Sequence, residues 1–147
     1  MVRFNNDYNR NAHPAILKAL YETQNEAYGG YGLDEWCDAA KREIHKYLDC
    51  PEAVIHFLVG GTQTNYLAIE AMLDRPYYSV IAADSGHICV HESGAIEHTG
   101  HKIHQLKSEN GKINAAQIEE EARYYAENAL YEHITHPRAV YISQPTE

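Results

Sequence analysis

The stretch FLVGGTQTNYLAIEAML, residues 57–73, decides how the rest of the chain is read. It begins apolar, meets Gly60 and Gly61, passes through Thr62, Gln63, Thr64 and Asn65, and then takes on helical spacing. That order predicts a strand over 53–59, a glycine turn, and a helix over 62–73. A helix start leaves about four amide N–H groups without internal partners and carries partial positive charge. Glycines ahead of it let an anion approach the backbone, and the Thr62 and Thr64 hydroxyls and the Gln63 amide can add hydrogen bonds. Such a cup suits a phosphate group. It is neither a nucleotide P-loop, because no GK[ST] follows, nor a GxGxxG dinucleotide turn. The same residues also fit a plainer reading, in which the glycines make a tight turn and Thr62 caps the helix.

Outward from this turn, helical and strand patterns alternate. A helix is predicted from Pro14 to about residue 24, with Asn11 as N-cap and Pro14 in the first turn, where a missing N–H costs little. AYGGYG, residues 27–32, is a loop, and a second helix covers 34–48 with Trp36, Cys37, Ala40, Ile44, Tyr47 and Leu48 on one face. YYSVIAA, residues 77–83, is nearly all apolar and reads as a strand buried on both faces. A short strand is expected over 103–106, a helix over 114–128 opened by Asn114 and Gln117 as a capping box, and a last strand over 139–143. Strands alternating with helices imply an α/β fold, a mostly parallel sheet with helices on both faces. Ligands of such sheets sit outside the carboxyl ends of the strands. The sequence stops at SQPTE, where such a group of residues is beginning to form, so residues 1–147 read as one amino-terminal part of a larger domain.

Composition narrows the partners. With 44% hydrophobic and 22% charged residues the chain reads as globular, and no apolar run is long enough for a membrane span. A formal net charge of −9 with scattered Lys and Arg argues against nucleic acid, whose phosphates need clustered cations. Three cysteines without CxxC pairing, and an amino terminus without a secretory pattern, suit free thiols in the cytoplasm.

Five of the ten histidines crowd into ADSGHICVHESGAIEHTGHKIHQL, residues 83–106. His87 follows the buried strand by only a few residues, at the carboxyl edge, where it can stack on a flat cofactor or move a proton. His91, His98, His101 and His104 read as solvated surface or loop residues. His87, His91 and Glu92 invite a metal, but HxxxHE lacks the HExxH arrangement, so no metal site is expected.

Taken together, GGTQTN, ADSGHICVHESGAIE and the early FNND with YGGYG resemble the threonine aldolase and β-eliminating lyase family, closest to the low-specificity L-threonine aldolases. These are pyridoxal 5′-phosphate enzymes of the aspartate-aminotransferase fold (fold type I), and the resemblance implies that residues 1–147 are part of their large domain. It further implies that Gly61 and Thr62 hold the cofactor phosphate and that His87 lies over the pyridine ring and takes part in proton transfer. Asn6 stands where aldolases often carry a serine for the substrate carboxylate, Asp7 matches the acidic residue of the same motif, and Tyr31 belongs to a loop reaching a partner subunit's site. His133 falls near a second family histidine, with His136 an equal contender. The Schiff-base lysine and the aspartate that pairs with the pyridine nitrogen are expected after Glu147, so this stretch by itself is expected not to catalyse. For the complete protein the resemblance implies cleavage of β-hydroxy-α-amino acids such as threonine to glycine and an aldehyde, by a homodimer or homotetramer. Other pyridoxal-phosphate β-eliminations, transamination, or an inactive truncated dimerising module are the alternatives.

Overall fold

The computed structural model describes Tyr8 and residues 10–144. The chain falls into two compact units, Met1–Phe57 and Leu58–Glu147.

In the first unit, α1 (Pro14–Glu22) starts at the expected Pro14 but is capped by His13, not Asn11: the His13 ring nitrogen accepts from Ala15 N at 3.2 Å and Pro14 occupies the first turn. Helix α2 (Glu35–His45) is capped by Asp34, whose carboxylate accepts from Cys37 N at 2.9 Å. That bond, first through the cysteine's side chain and then through its amide, holds the Asp34 carboxyl below its ordinary range. Neither helix buries a residue, and Ile16, Leu17 and Leu20 of α1 are exposed. The strand expected over 53–59 does not form. Residues 53–58 lack regular structure, and Val54 and Val59 are exposed. A β-branched, apolar run becomes a strand only when another strand satisfies its amides and carbonyls, and among the described residues this run is paired with none.

The second unit is built on three parallel strands, β1 (Tyr78–Ala83), β2 (Lys102–Leu106) and β3 (His136–Val140), in the order β2-β1-β3. Val80 lies beside Ile103 on one side and Ala139 on the other, and Ile81 beside His104 and Val140. Alternation along β1 therefore makes two faces. On the first, Val80 and Ala82 pack with Ile103, with Ile69 of α3 (Gly61–Met72) and Leu73 just beyond its end, and with Ile88 and Ile96. On the second, α5 (Ala115–Glu127) lies against the sheet, its Glu121 reaching His104 at 3.2 Å. Helices thus cover both faces, as the alternating pattern predicts. Each fully buried Ile in this core stabilises the fold by about 1.5–3 kcal/mol.

Local chemistry explains the boundaries. The capping box of α5 forms as read: Asn114 Oδ1 accepts from Gln117 N at 3.1 Å while Gln117 Oε1 accepts from Asn114 N at 3.0 Å. Strand β3 begins three residues earlier than the expected 139, because Arg138 is absorbed as a bulge between Pro137 and Ala139. A proline, lacking an N–H, is tolerated at a bulge of an edge strand. Beyond Val140 the ladder still continues, with Tyr141 N donating to Ile81 O at 2.8 Å. Asn110 and Gly111, both left-handed, close a tight hairpin in which Glu109 and Lys112 exchange backbone bonds of 3.0 and 3.1 Å. Among the described residues no helix is long and apolar enough to cross a membrane.

Candidate active site

The helix start that follows Val59 is open. Gly60 is the N-cap of α3, with fully extended backbone, and a Cβ built on either Gly60 or Gly61 meets nothing within 4 Å. The amides of Gly61, Thr62 and Gln63 have no carbonyl one turn below them, as at any helix start; Thr64 N is the first to find one, Gly60 O at 3.1 Å. The Thr62 hydroxyl has no hydrogen bond among the described residues. Two side chains expected to reach an anion are instead used to build the turn. Thr64 Oγ donates to Gly60 O at 3.0 Å, and Gln63 Oε1 accepts from Val59 N at 3.0 Å. What remains is an exposed helix start with free backbone amides and one unbonded hydroxyl. That is the chemistry a phosphate monoester requires, so the residues present fit the phosphate of pyridoxal phosphate.

His87 opens the short helix α4 (His87–Val90), immediately after a turn with little room for a side chain at Gly86. Gly86 N donates to Ala83 O at 2.9 Å, and a Cβ on Gly86 would stand 3.0 Å from that same oxygen. The turn leaves the His87 side chain 38% exposed, with Nδ1 2.8 Å from Glu92 Oε1. Glu92 is fully buried at its side chain. Its Oε1 also accepts from Asn65 Nδ2 at 2.5 Å, and Asn65 lies 3.4 Å from the Tyr141 hydroxyl. Asn65 is one helical turn past Gly61, on the same face of α3. Two hydrogen bonds therefore connect the open helix start to the imidazole, and the fold brings Gly61, Thr62 and His87 into one neighbourhood at the carboxyl edge of the sheet. The ring of His91 lies 5.5 Å from that of His87, but His91 is exposed.

Beside this network a cleft of about 470 Å³ opens between the carboxyl ends of β1 and β3, lined among others by Ser85, Gly86, Gly111, Lys112 and Tyr141. Its wall is fastened at Asp84. The Asp84 carboxylate accepts from Ser108 Oγ at 2.6 Å and from Ser108 N at 3.0 Å, which holds its carboxyl below the usual range. Under the floor, Cys89 Sγ donates to Ala83 O at 3.2 Å, and burial pushes its thiol up to about 11.

Other expected residues lie elsewhere. His133 ends a 3-10 turn just before β3, and His136 is the first residue of β3, so both sit at the amino ends of the strands while His87 follows a carboxyl end. The sheet separates them, and His133 does not join the His87 site. His136 is committed to packing: it stacks on Tyr125 at 3.9 Å and meets Tyr78 edge-on. Tyr31, in the first unit, is fully exposed and has φ 63°. Asn6 and Asp7 lie outside the described residues. The solvated reading of His101 and His104 is overturned. His101 is buried, with Nδ1 3.2 Å from Tyr78 O and Nε2 3.6 Å from Glu70, and His104, half-buried on β2, pairs with Glu121 of α5. No group of three or more His, Cys, Asp or Glu among the described residues is arranged to hold a metal.

Glu92, Asn65 and Tyr141 are the residues that motif reading passed over as a set. The available signal was a carboxylate placed between Val90-His91 and the Ser93-Gly94 turn, in a segment that otherwise buries Ile88 and Ile96.

Comparison with known proteins points the same way as the geometry. The family described as β-eliminating lyase matches residues 11–144. Low specificity L-threonine aldolases from Pseudomonas sp. and Pseudomonas aeruginosa are 30% and 29% identical over 136 residues, 91% of this chain and 38% of theirs. The solved structure of Leishmania major threonine aldolase superposes with a TM-score of 0.87 at 44% identity, over 97% of this chain and 40% of that one. The chain therefore spans well under half the length of these relatives.

Proposed function

Because the chain belongs to the β-eliminating lyase family, we propose that it contributes the phosphate cup and the proton-handling histidine of a pyridoxal-phosphate lyase that cleaves β-hydroxy-α-amino acids such as threonine. The observation that carries this reading is the open glycine helix start joined through Asn65 and Glu92 to His87. Bound there, pyridoxal phosphate supplies an electron sink for the charge left on Cα when a bond to it breaks.

The chain's own residues account for binding and proton handling. The amides of Gly61, Thr62 and Gln63 and the Thr62 hydroxyl hold the phosphate. His87 lies at the cofactor ring, its Nδ1 engaged by Glu92 and its Nε2 left to exchange protons with the substrate. In the cleavage, the β-hydroxyl proton passes to Nε2 as the C–O bond becomes a carbonyl. The Cα–Cβ electron pair stays with Cα, and a proton returned there completes glycine. Asn6, Asp7 and Tyr31 are assigned to the substrate, Tyr31 from a neighbouring copy. The exposed apolar face of α1 supports a homodimer or homotetramer, and three free cysteines support a cytoplasmic setting.

The test uses a chain extended to the length of its relatives, loaded with pyridoxal phosphate and given threonine. Glycine and acetaldehyde in equal amounts are expected, and His87→Ala lowers kcat by about 10²–10⁴-fold. Because the family name covers elimination, serine and cysteine are run in parallel. Pyruvate from these, with no glycine from threonine, replaces the aldol reading by β-elimination.

A further inference from the structure

We propose that Glu92 is the positioning residue of the site: it fixes the His87 ring with Nδ1 protonated and inward, leaving Nε2 as the atom that faces the ligand. The inference rests on the lyase reading for the identity of that ligand, but its physical core is independent of it.

The case begins with a carboxylate that has no structural reason to be where it is. The Glu92 side chain is completely buried. Oε1 accepts from Asn65 Nδ2 and faces His87 Nδ1, while Oε2 is buried with no partner among the described residues. A buried, half-satisfied carboxylate destabilises a fold relative to an apolar side chain of similar volume. The other residues that this segment buries, Ile88 and Ile96, are apolar.

The backbone is also bent to place it. Ser93 and Gly94 follow at φ 52° and 77°, two consecutive left-handed residues, and Ala95 N closes back on Glu92 O at 3.0 Å. Glycine adopts that conformation freely, but for a serine it costs about 1–2 kcal/mol. Strain and burial thus converge on holding one carboxylate oxygen against one imidazole nitrogen.

Acceptor and donor roles then follow from valence. Oε1 already accepts an N–H from Asn65, and the same acceptor oxygen takes the 2.8 Å contact from Nδ1–H. A neutral imidazole with Nδ1–H has its lone pair on Nε2. Asn65 completes the device. Its position on α3 ties the carboxylate to the helix that carries the phosphate cup, so the imidazole is oriented relative to the cup and not merely to its own short helix. Tyr141, 3.4 Å from Asn65, brings the end of β3 into the same network.

The test combines a tautomer measurement with kinetics on the relatives'-length protein loaded with pyridoxal phosphate. Nitrogen-15 histidine spectra in mildly alkaline buffer report which ring nitrogen of His87 carries the proton, whether or not the enzyme turns over. The wild-type protein is expected to show Nδ1–H. Glu92→Leu, which removes the acceptor, is expected to give a mixture of tautomers and to lower kcat by at least about tenfold, up to the 10²–10⁴-fold that general acid–base assistance supplies in full, with KM changed much less. Glu92→Gln keeps an acceptor oxygen and is expected to retain the Nδ1–H tautomer and most of kcat. An Nε2–H tautomer in the wild type overturns the proposal without any variant. So does Glu92→Leu with the wild-type tautomer and kcat. Wild-type protein with the Nδ1–H tautomer but no cleavage of threonine or serine sinks the lyase reading and leaves the positioning role standing.

Discussion

Two glycines beside the same site should respond in opposite ways to one added methyl group. Gly61 is the first residue of α3 and a Cβ there meets no atom within 4 Å. Alanine loses less backbone entropy on folding, so Gly61→Ala is expected to leave stability unchanged or raise it by about 0.4–1 kcal/mol. Gly86 is different: its Cβ would stand 3.0 Å from Ala83 O, a backbone atom of β1 that cannot rotate away. Gly86→Ala must displace the first turn of α4 and is expected to destabilise by about 1–3 kcal/mol, as overpacked sites do. Cofactor binding reverses the ranking of what is benign. The methyl of Gly61→Ala fills the volume through which a phosphate reaches the amides. Hydrogen bonds to a charged group are worth about 1.5–3 kcal/mol each, so loss of one weakens binding by about 10- to 100-fold. Denaturation without cofactor measures the first quantity, and titration with pyridoxal phosphate followed by absorbance measures the second. Unchanged cofactor affinity in Gly61→Ala refutes the phosphate cup. A stability loss equal to that of Gly86→Ala refutes the claim that the space before α3 is empty of protein.

Other expectations follow from the same geometry. Thr62→Val keeps the shape of the helix start and removes its unbonded hydroxyl, so pyridoxal phosphate affinity falls while thermal stability stays within about 0.5 kcal/mol; equal affinity assigns Thr62 to the turn alone. The Cys89 thiol, at about 11 against an ordinary 9.0, is expected to react with iodoacetamide at pH 8 about 100-fold more slowly than an unperturbed cysteine, which peptide mapping after timed labelling reads directly. Burial, and then the charge of Arg138, lower the pKa of His136 from 6.5. Its contribution to stability is therefore present above about pH 6.5 and lost as pH falls through the folded-state value; His136→Phe, which can keep the stack on Tyr125, flattens that part of the stability–pH curve. Ile96→Ala, at a fully buried position, costs about 2–5 kcal/mol by unfolding titration.

Much of the sheet was readable from residue order, because its signals are local. A nearly continuous apolar run marked β1, and the Asn114–Gln117 pair marked the start of α5 to the residue. What was not readable depends on partners distant in sequence. Residues 53–59 carry strand composition but have no ladder among the described residues, and Pro137 is admitted to β3 only because a bulge absorbs Arg138. The site divides in the same manner. The glycine turn and His87 announce themselves by type and position, whereas Glu92 matters through Asn65, 27 residues away, and no spacing rule joins them. His101 looked like one more surface histidine until the start of β1 supplied a carbonyl acceptor for its ring. His133 has the right residue type, yet its place before β3 puts it at the wrong end of the sheet for the His87 site.

The hairpin at Glu109–Lys112 has a consequence for how such a protein can change. Ser108 is clamped to Asp84, and Asn114 begins a capped helix, so the chain is anchored on either side of the turn. Between those anchors Glu109 and Asn110 are exposed, while Gly111 and Lys112 look into the cleft. Extra residues inserted there would lengthen the lip of the cleft and leave sheet, cup and imidazole undisturbed. Variation in which molecules are admitted can therefore accumulate at this one bend, separately from the parts that hold the cofactor.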